Sequence, residues 1–208
     1  MTENPSAKEK EGIKTNTLNV LGKQVGLGPW LDEYLDKWVQ ALQDPQVSLL
    51  SDGTFLMPTR EHEAETFKLT RKEGGANFAI FALPEVKLIG LCGVFKVNQR
   101  NQTGELGISI FDKDYWGKGY GTEAVKLTAD FGFRFLNLHT IQLNTSGFNE
   151  RAIRAYTKAG FKEMGRWREA QQVAGKRYDH VYMDCLVSDF EPPKPGWFEL
   201  ESLTPKKK

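Results

Sequence analysis

Residues 114–124, Asp-Tyr-Trp-Gly-Lys-Gly-Tyr-Gly-Thr-Glu-Ala, have the composition of a loop that binds phosphate groups. The three glycines are Gly117, Gly119 and Gly121. Glycine lets a backbone approach a ligand closely and adopt positive φ angles. The run 105–111 before this segment is typical of a strand, and the run after it has apolar or small residues at helical spacing. Because a helix start directs unpaired N–H groups and a positive dipole end at a ligand, the segment predicts an anion site and favours an enzyme.

Two common phosphate-binding motifs do not fit this segment. A P-loop ends in Gly-Lys followed by Ser or Thr, whereas Lys118 is followed by Gly119. A dinucleotide fingerprint opens a strand–helix–strand unit with an acidic residue about 20 residues further on. Here the predicted helix leads instead to a strand at 139–145 and a second helix. Glycine spacing alone also fits a tight strand-to-helix connection that binds nothing.

A second block, residues 149–159, strengthens the functional interpretation of the glycine segment, which is the first block. Asn149 is a good N-cap residue, and Gly160 is a good residue just past a helix end. Phe161 begins another predicted strand. The block has one apolar face at helical spacing, formed by Ala152, Ile153, Tyr156 and Ala159.

Together, the two blocks resemble the GNAT superfamily of acetyl-CoA-dependent N-acetyltransferases. The family loop pattern, Arg/Gln-x-x-Gly-x-Gly/Ala, corresponds to the run from Trp116 to Gly121. The later pattern, Asn-x-x-Ala/Ser-x-x-x-Tyr-x-Lys-x-Gly-Phe, is matched from Asn149 to Phe161. Trp116 departs from the family's Arg or Gln, but its surroundings are similar to the RimJ/RimL branch, which acetylates ribosomal protein N-termini and many other amines. The resemblance covers roughly residues 17–190 and implies an N-acyltransferase enzyme.

Acetyl-CoA is the cosubstrate that this resemblance implies. Its pyrophosphate would meet backbone N–H groups of 117–122, and its pantetheine arm would pair with 109–111 like an added strand. Asn149 would contact that arm or a bound water, and Lys118 would screen phosphate charge or be an ordinary solvated lysine. The expected contacts are Ser109, Ile110, Phe111, Gly117, Lys118, Gly119, Tyr120, Gly121, Thr122 and Asn149.

Direct transfer from an activated thioester needs a base and an acid rather than a covalent nucleophile. By resemblance, Tyr156 lies near the CoA sulfur as the general acid, and a phenol with a pKa near 10 is protonated at neutral pH. Glu105, eleven residues before Trp116, matches the offset of the glutamate base in histone-acetylating members, acting directly or through water. The alternatives are a packing tyrosine and a solvent-facing glutamate. Asp179 and His180 are other candidate bases.

A mixed α/β fold follows from the order of predicted elements, β-α-α-β-β-β-α-β-α-β-β. The resemblance implies a mostly antiparallel sheet of about seven strands with helices on both faces, splayed between the fourth and fifth strands. Residues 17–27 read as a strand or a short hairpin, and Pro45 is expected to stop the first helix. A second helix is expected from Pro58 to about Lys72, and strands near 161–170 and 177–188 end the series. The expected divisions are a flexible N-terminal tail, 1–16, a GNAT domain, 17–190, and a Pro- and Lys-containing tail, 191–208.

Composition restricts the partners. The net charge of +1 does not indicate the excess of basic residues that is typical of nucleic-acid binding. The sequence has no run of 18 apolar residues that would span a membrane. The polar N-terminus does not resemble a secretory signal, so we expect a cytoplasmic protein. Cys92 and Cys185 read as small buried hydrophobes, and the scattered histidines predict no metal site.

The acceptor is expected to be a small-molecule amine or a protein N-terminal amine. The resemblance implies that the first two helices and the last hairpin form the walls of the acceptor side. The first two helices contain acids that would suit a cationic amine: Asp32, Glu33, Asp36, Glu61, Glu63 and Glu65. Trp197, Phe198 and Leu200 would allow a homodimer by docking on a second copy, the alternative being a solvated tail. A non-catalytic acyl-CoA sensor, or an enzyme with another acyl-CoA or acceptor, is the alternative function.

Overall fold

The computed structural model describes residues 18–52, 57–72, 74–194 and 196. The predicted tail at 1–16 lies outside these residues, as does almost all of the chain after 194, including Trp197, Phe198 and Leu200. The division into domains and tails therefore stays a prediction.

Eight strands form one mixed sheet in the described part of the chain. They are β1 (Val20–Leu21), β2 (Val25–Pro29), β3 (Ala76–Ala82), β4 (Lys87–Asn98), β5 (Thr103–Ile110), β6 (Thr140–Ser146), β7 (Lys162–Val173) and β8 (Lys176–Leu186). Their order across the sheet is β1-β2-β3-β4-β5-β6-β8-β7. The helices are α1 (Leu35–Leu42), α2 (Pro45–Asp52), α3 (Arg60–Lys72), α4 (Tyr120–Phe135) and α5 (Glu150–Ala159).

Helices cover both faces of this sheet, as predicted. Alternate residues of a strand point to opposite faces, and β3 shows this clearly. Phe78 and Ile80 pack in one cluster with Leu127 of α4. The intervening residue Ala79, like Phe81, packs in a different cluster with the aromatic residues of α1 and α3.

The sheet opens between β5 and β6. These strands are parallel and pair only through residues 103–105 of β5. Beyond that point β5 stays paired with β4 as far as Ile110, while β6 stays paired with β8 as far as Ser146. This confirms the predicted splay between the fourth and fifth predicted strands, since β5 and β6 are those strands.

Two details of the fold differ from the sequence prediction. The segment 17–27 contains two strands, β1 and β2, which is the hairpin alternative and raises the count from about seven strands to eight. Helix α1 ends at Leu42, before Pro45, as expected, but the sequence prediction had missed α2, whose first residue is Pro45. The Asp44 carboxylate accepts hydrogen bonds from the N–H groups of Gln46 (2.9 Å) and Val47 (3.4 Å). An acidic N-cap followed by proline is a favoured helix start, since proline lacks an N–H group that would need a partner there.

Candidate active site

The glycine loop leads directly into α4. Gly117 and Gly119 have φ angles of 72° and 94°, in the left-handed region that costs other residues about 1–2 kcal/mol. Gly119 is the N-cap, and its carbonyl accepts the N–H of Glu123 at 3.0 Å. The N–H groups of residues 120–122 therefore have no partner within the helix and lie at the positive end of its dipole. This geometry fits the predicted anion site.

A cavity of about 300 Å³, called here the donor cavity, lies between the glycine loop, the end of β5 and α5. Seven of the ten predicted cosubstrate residues line it: Ser109, Ile110, Gly117, Gly119, Gly121, Thr122 and Asn149. The structure thus brings the loop, the strand end and the second block together around one space.

The other three predicted residues make contacts with different parts of the fold. Phe111 is buried, with its ring 6.0 Å from that of Trp38. The Tyr120 ring packs edge-on against Tyr115 at 5.0 Å. The Lys118 carbonyl accepts a hydrogen bond from the Gln24 side chain at 3.4 Å, so the β1–β2 turn supports the loop.

Helix α2 lies across the opening of the sheet and supplies a wall that the sequence prediction missed. Leu50 and Ser51 line the donor cavity. The Leu50 carbonyl accepts a hydrogen bond from the Asn149 side-chain amide at 3.0 Å, and the Ser51 hydroxyl lies 2.6 Å from that of Ser109. Asn149 also accepts the N–H of Ala152 at 3.2 Å, so it acts as the predicted N-cap of α5.

Three cations of α5 also line the donor cavity, and the sequence prediction had not identified them: Arg151, Arg154 and Lys158. The Arg151 guanidinium lies 3.7 Å from the centroid of the Trp116 ring. Trp116 in turn donates its indole N–H to the Ile110 carbonyl at 2.6 Å, which fixes the ring beside the end of β5. The sequence does contain a signal for such a cation, because Trp116 stands where the family's loop pattern has Arg or Gln.

Tyr156 lines the donor cavity and also a second cavity of about 230 Å³, called here the acceptor cavity. The side chain is buried, and burial raises its pKa to about 12, while the nearby Arg151 acts in the opposite direction. The phenol is therefore protonated at neutral pH and can donate a hydrogen bond at the junction of the cavities.

The acceptor cavity contains two of the predicted bases. Glu105 and His180 both line it, together with Asn144 and Ser146 of β6. One Glu105 carboxylate oxygen accepts from Lys96 at 2.9 Å, and the other from Asn144 at 3.5 Å. The sequence prediction had not identified either partner of the carboxylate.

Asp179, the third candidate base, is not among the described residues that line this cavity. Its carboxylate instead accepts the backbone N–H of Glu169 at 3.0 Å. None of the six acids expected on the acceptor side is among the described residues that line this cavity. Asp36 pairs with Arg60, and Glu63 accepts the Trp38 indole N–H, so these acids hold α1 against α3.

Both cysteines are buried, as expected for small hydrophobes. Burial raises the pKa of Cys92 to about 12 and that of Cys185 to about 11, so neither is a thiolate at neutral pH. No group of three or more His, Cys, Asp or Glu side chains able to hold a metal is found among the described residues. The described helices include none that is long and apolar enough to cross a membrane.

Proteins with similar sequences are described as N-acetyltransferases. Over 116 residues the chain is 34% identical to an uncharacterized N-acetyltransferase, p20, of Bacillus licheniformis, covering 55% of this chain but 64% of that relative. It is 32% identical over 133 residues to the probable N-acetyltransferase YjcK of Bacillus subtilis, covering 64% of this chain and 73% of the relative.

Solved structures show the same fold. The spermidine N-acetyltransferase of Vibrio cholerae in complex with CoA and spermine matches with a TM-score of 0.72 at 22% identity, over 81% of this chain and 98% of that one. Residues 24–162 match the acetyltransferase (GNAT) domain family, which is about two thirds of the chain. The predicted fold class and enzyme family are therefore confirmed, and the chain belongs to the GNAT acetyltransferase family.

Proposed function

We propose that this protein transfers the acetyl group of acetyl-CoA to a primary amine by direct attack in a ternary complex. The observation that carries the proposal is the position of Tyr156, which lines both cavities. One cavity has a glycine loop and a helix start suited to phosphates, and the other contains Glu105 and His180. The bound CoA and spermine of the Vibrio cholerae relative support the same pair of reactants.

Acetyl-CoA would bind with its pyrophosphate on the backbone N–H groups of 117–122. Its pantetheine arm would run along the edge of β5 that β6 leaves after residue 105. Backbone groups on that edge need hydrogen-bond partners, and the amides of the arm can supply them as an added strand would. Asn149 and Ser51 also line the donor cavity, where the arm would pass.

The acceptor would enter through the acceptor cavity as an ammonium ion. Glu105, directly or through water, would remove one proton, and the neutral nitrogen would attack the thioester carbonyl carbon. When the tetrahedral intermediate collapses, the carbon–sulfur bond breaks and the sulfur leaves with the electron pair. Tyr156 would donate its hydrogen bond, and finally a proton, to that sulfur. The two buried, protonated cysteines offer no competing nucleophile.

The acceptor is proposed to be a small-molecule amine or a protein N-terminal amine. Glu105 is the one carboxylate among the described residues that line either cavity. A single carboxylate complements one ammonium group, which favours an acceptor with an isolated amine over one with several cationic groups. An N-terminal acceptor would agree with the resemblance to the RimJ/RimL branch.

Amine-dependent release of the CoA thiol tests this function. Acetyl-CoA is offered with spermidine, a simple primary amine and a short peptide with a free N-terminus, and the acetylated product is identified by mass spectrometry. We expect thiol release to follow acetylation of an amine in equal amounts. Tight CoA binding with no turnover on any amine would instead favour the non-catalytic sensor.

A further inference from the structure

We infer that Arg151, held by the face of Trp116, binds the pyrophosphate of acetyl-CoA and supplies a guanidinium beside position 116, where the family's loop pattern has Arg or Gln and this chain has Trp. The inference rests on the proposed function, because it assigns a residue within the proposed donor cavity. It concerns recognition of the donor rather than the transfer step.

The geometry that supports this is a stack between two segments far apart in the sequence. Trp116 immediately precedes Gly117, and its indole is fixed by the 2.6 Å hydrogen bond to the Ile110 carbonyl. The Arg151 guanidinium lies 3.7 Å from the centroid of that ring, within the range of a strong cation–π contact. The indole therefore holds a positive charge at the start of the glycine loop, which lines the donor cavity.

The charge on Arg151 has no matching carboxylate among the described residues. Its neighbour on α5, Arg154, is paired with Glu150 at 3.0 Å and is more exposed. Arg151 is half-buried, and burial lowers its pKa, with the nearby Tyr156 acting in the opposite direction. A partly desolvated guanidinium without an anion is costly, and a phosphate group would satisfy it through paired hydrogen bonds.

The position of the stack selects the pyrophosphate over the 3′-phosphate of the nucleotide. Trp116 immediately precedes Gly117, and Arg151 lines the donor cavity together with Trp116, Gly117 and Gly119. Arg154 and Lys158 follow on α5 and also line the donor cavity. They lie one and two helical turns further from the stack, towards the other end of α5.

The experiment compares three acetyl donors in steady-state kinetics with one amine acceptor. Acetyl-CoA has both the pyrophosphate and the 3′-phosphate, acetyl-dephospho-CoA has only the pyrophosphate, and S-acetyl-pantetheine has neither. Arg151→Gln removes the guanidinium, and Arg100→Gln removes an exposed arginine in the β4–β5 turn as a matched control. Since hydrogen bonds to charged groups contribute about 1.5–3 kcal/mol, Arg151→Gln is expected to raise the KM for acetyl-CoA about tenfold or more.

Comparing the three donors identifies the phosphate group that Arg151 contacts. We expect the same loss with acetyl-CoA and acetyl-dephospho-CoA, no loss with S-acetyl-pantetheine, and no change in Arg100→Gln. A loss that disappears with acetyl-dephospho-CoA would assign Arg151 to the 3′-phosphate and overturn the inference. A loss that persists with S-acetyl-pantetheine would show that Arg151 acts on Tyr156 or the fold instead. Failure of the wild-type protein to use acetyl-CoA would contradict the proposed function itself.

Two variants of Trp116 test the stack. Trp116→Phe keeps an aromatic face but loses the hydrogen bond to Ile110, whereas Trp116→Leu loses both. We expect Trp116→Leu to weaken acetyl-CoA binding more than Trp116→Phe, and Arg151→Gln to add little to Trp116→Leu, since the two residues act as one unit. Additive losses in the double variant would show that the ring does not hold the guanidinium.

Discussion

Replacing Gly119 by valine tests the donor site most severely, because this residue combines a positive φ with the N-cap position of α4. The φ angle is 94°, and a Cβ atom would lie 3.0 Å from the Gln24 side-chain nitrogen. The left-handed conformation costs a residue with a Cβ about 1–2 kcal/mol, and a β-branched residue rarely adopts it. Since the Gln24 side chain is able to move, most of the destabilisation comes from the backbone. We expect the melting temperature to fall by about 2–8 °C.

The loss of acetyl-CoA affinity should be larger than the loss of stability. If the loop relaxes out of the left-handed region, the N–H groups of residues 120–122 no longer converge on one point. Losing two charge-assisted hydrogen bonds, at about 1.5–3 kcal/mol each, weakens binding at least 100-fold. Calorimetric titration of CoA measures this directly, and circular dichroism checks that the variant is folded.

Two matched variants separate strain from binding. Gly175→Val places the same residue at a φ of 79° in the β7–β8 turn, where an added Cβ meets nothing within 4 Å. We expect a similar loss of stability there with no change in CoA affinity. Gly121→Ala lies within α4 at an ordinary φ, 3.8 Å from Ile110, and should raise stability by about 0.5–1 kcal/mol with CoA still bound. A folded Gly119→Val protein that binds CoA as the wild type does would refute the loop assignment.

Three further predictions concern the transfer step and the buried thiols. Tyr156→Phe should lower kcat by about 10² to 10⁴ with CoA affinity unchanged, and a variant within twofold of wild type would leave Tyr156 as a packing residue. Glu105→Gln should lower kcat/KM at neutral pH, with the loss shrinking as the pH approaches the pKa of the amine; a larger loss in His180→Gln would identify the histidine as the base. The pKa of Cys92 rises from about 8.5 in the unfolded chain to about 12 in the folded protein, so the stability it contributes is complete below pH ~8.5 and is lost as the pH rises towards 12. In denaturant unfolding between pH 8.5 and 10, the free energy of unfolding should therefore fall more steeply with pH for wild type than for Cys92→Ala, by up to about 1.4 kcal/mol per pH unit. Equal slopes would contradict burial of the Cys92 thiol as the cause of this pH dependence.

The elements that the sequence predicted best are those with local signals. Asn149 and Gly160 occupy the N-cap and C-cap of α5 as expected, because both positions depend on local backbone chemistry. The glycine loop and the start of α4 were predicted for the same reason. Helix α2 was not predicted although Asp44-Pro45 is a favourable helix start, because a proline after a helical stripe also marks a helix end, and it marks the end of α1 here.

Contacts between distant segments were not predictable from local patterns. The stack of Arg151 on Trp116 joins residues 35 positions apart, and the hydrogen bond from Asn149 to Leu50 joins residues 99 apart. The sequence identified Glu105 from its offset to the loop but could not show Lys96 beside it, which depends on how β4 and β5 align. The acidic helices were expected at the acceptor side, whereas the register of their apolar faces places Asp36 and Glu63 in contacts between α1 and α3.

Initial-rate kinetics with both substrates varied, combined with intact-protein mass spectrometry, test direct transfer in a ternary complex most directly. The account predicts intersecting double-reciprocal lines and no acetylated protein after incubation with acetyl-CoA alone, because the described cysteines are buried and protonated. Parallel lines together with a stoichiometric acetyl-protein adduct that an amine discharges would contradict it and establish a covalent intermediate.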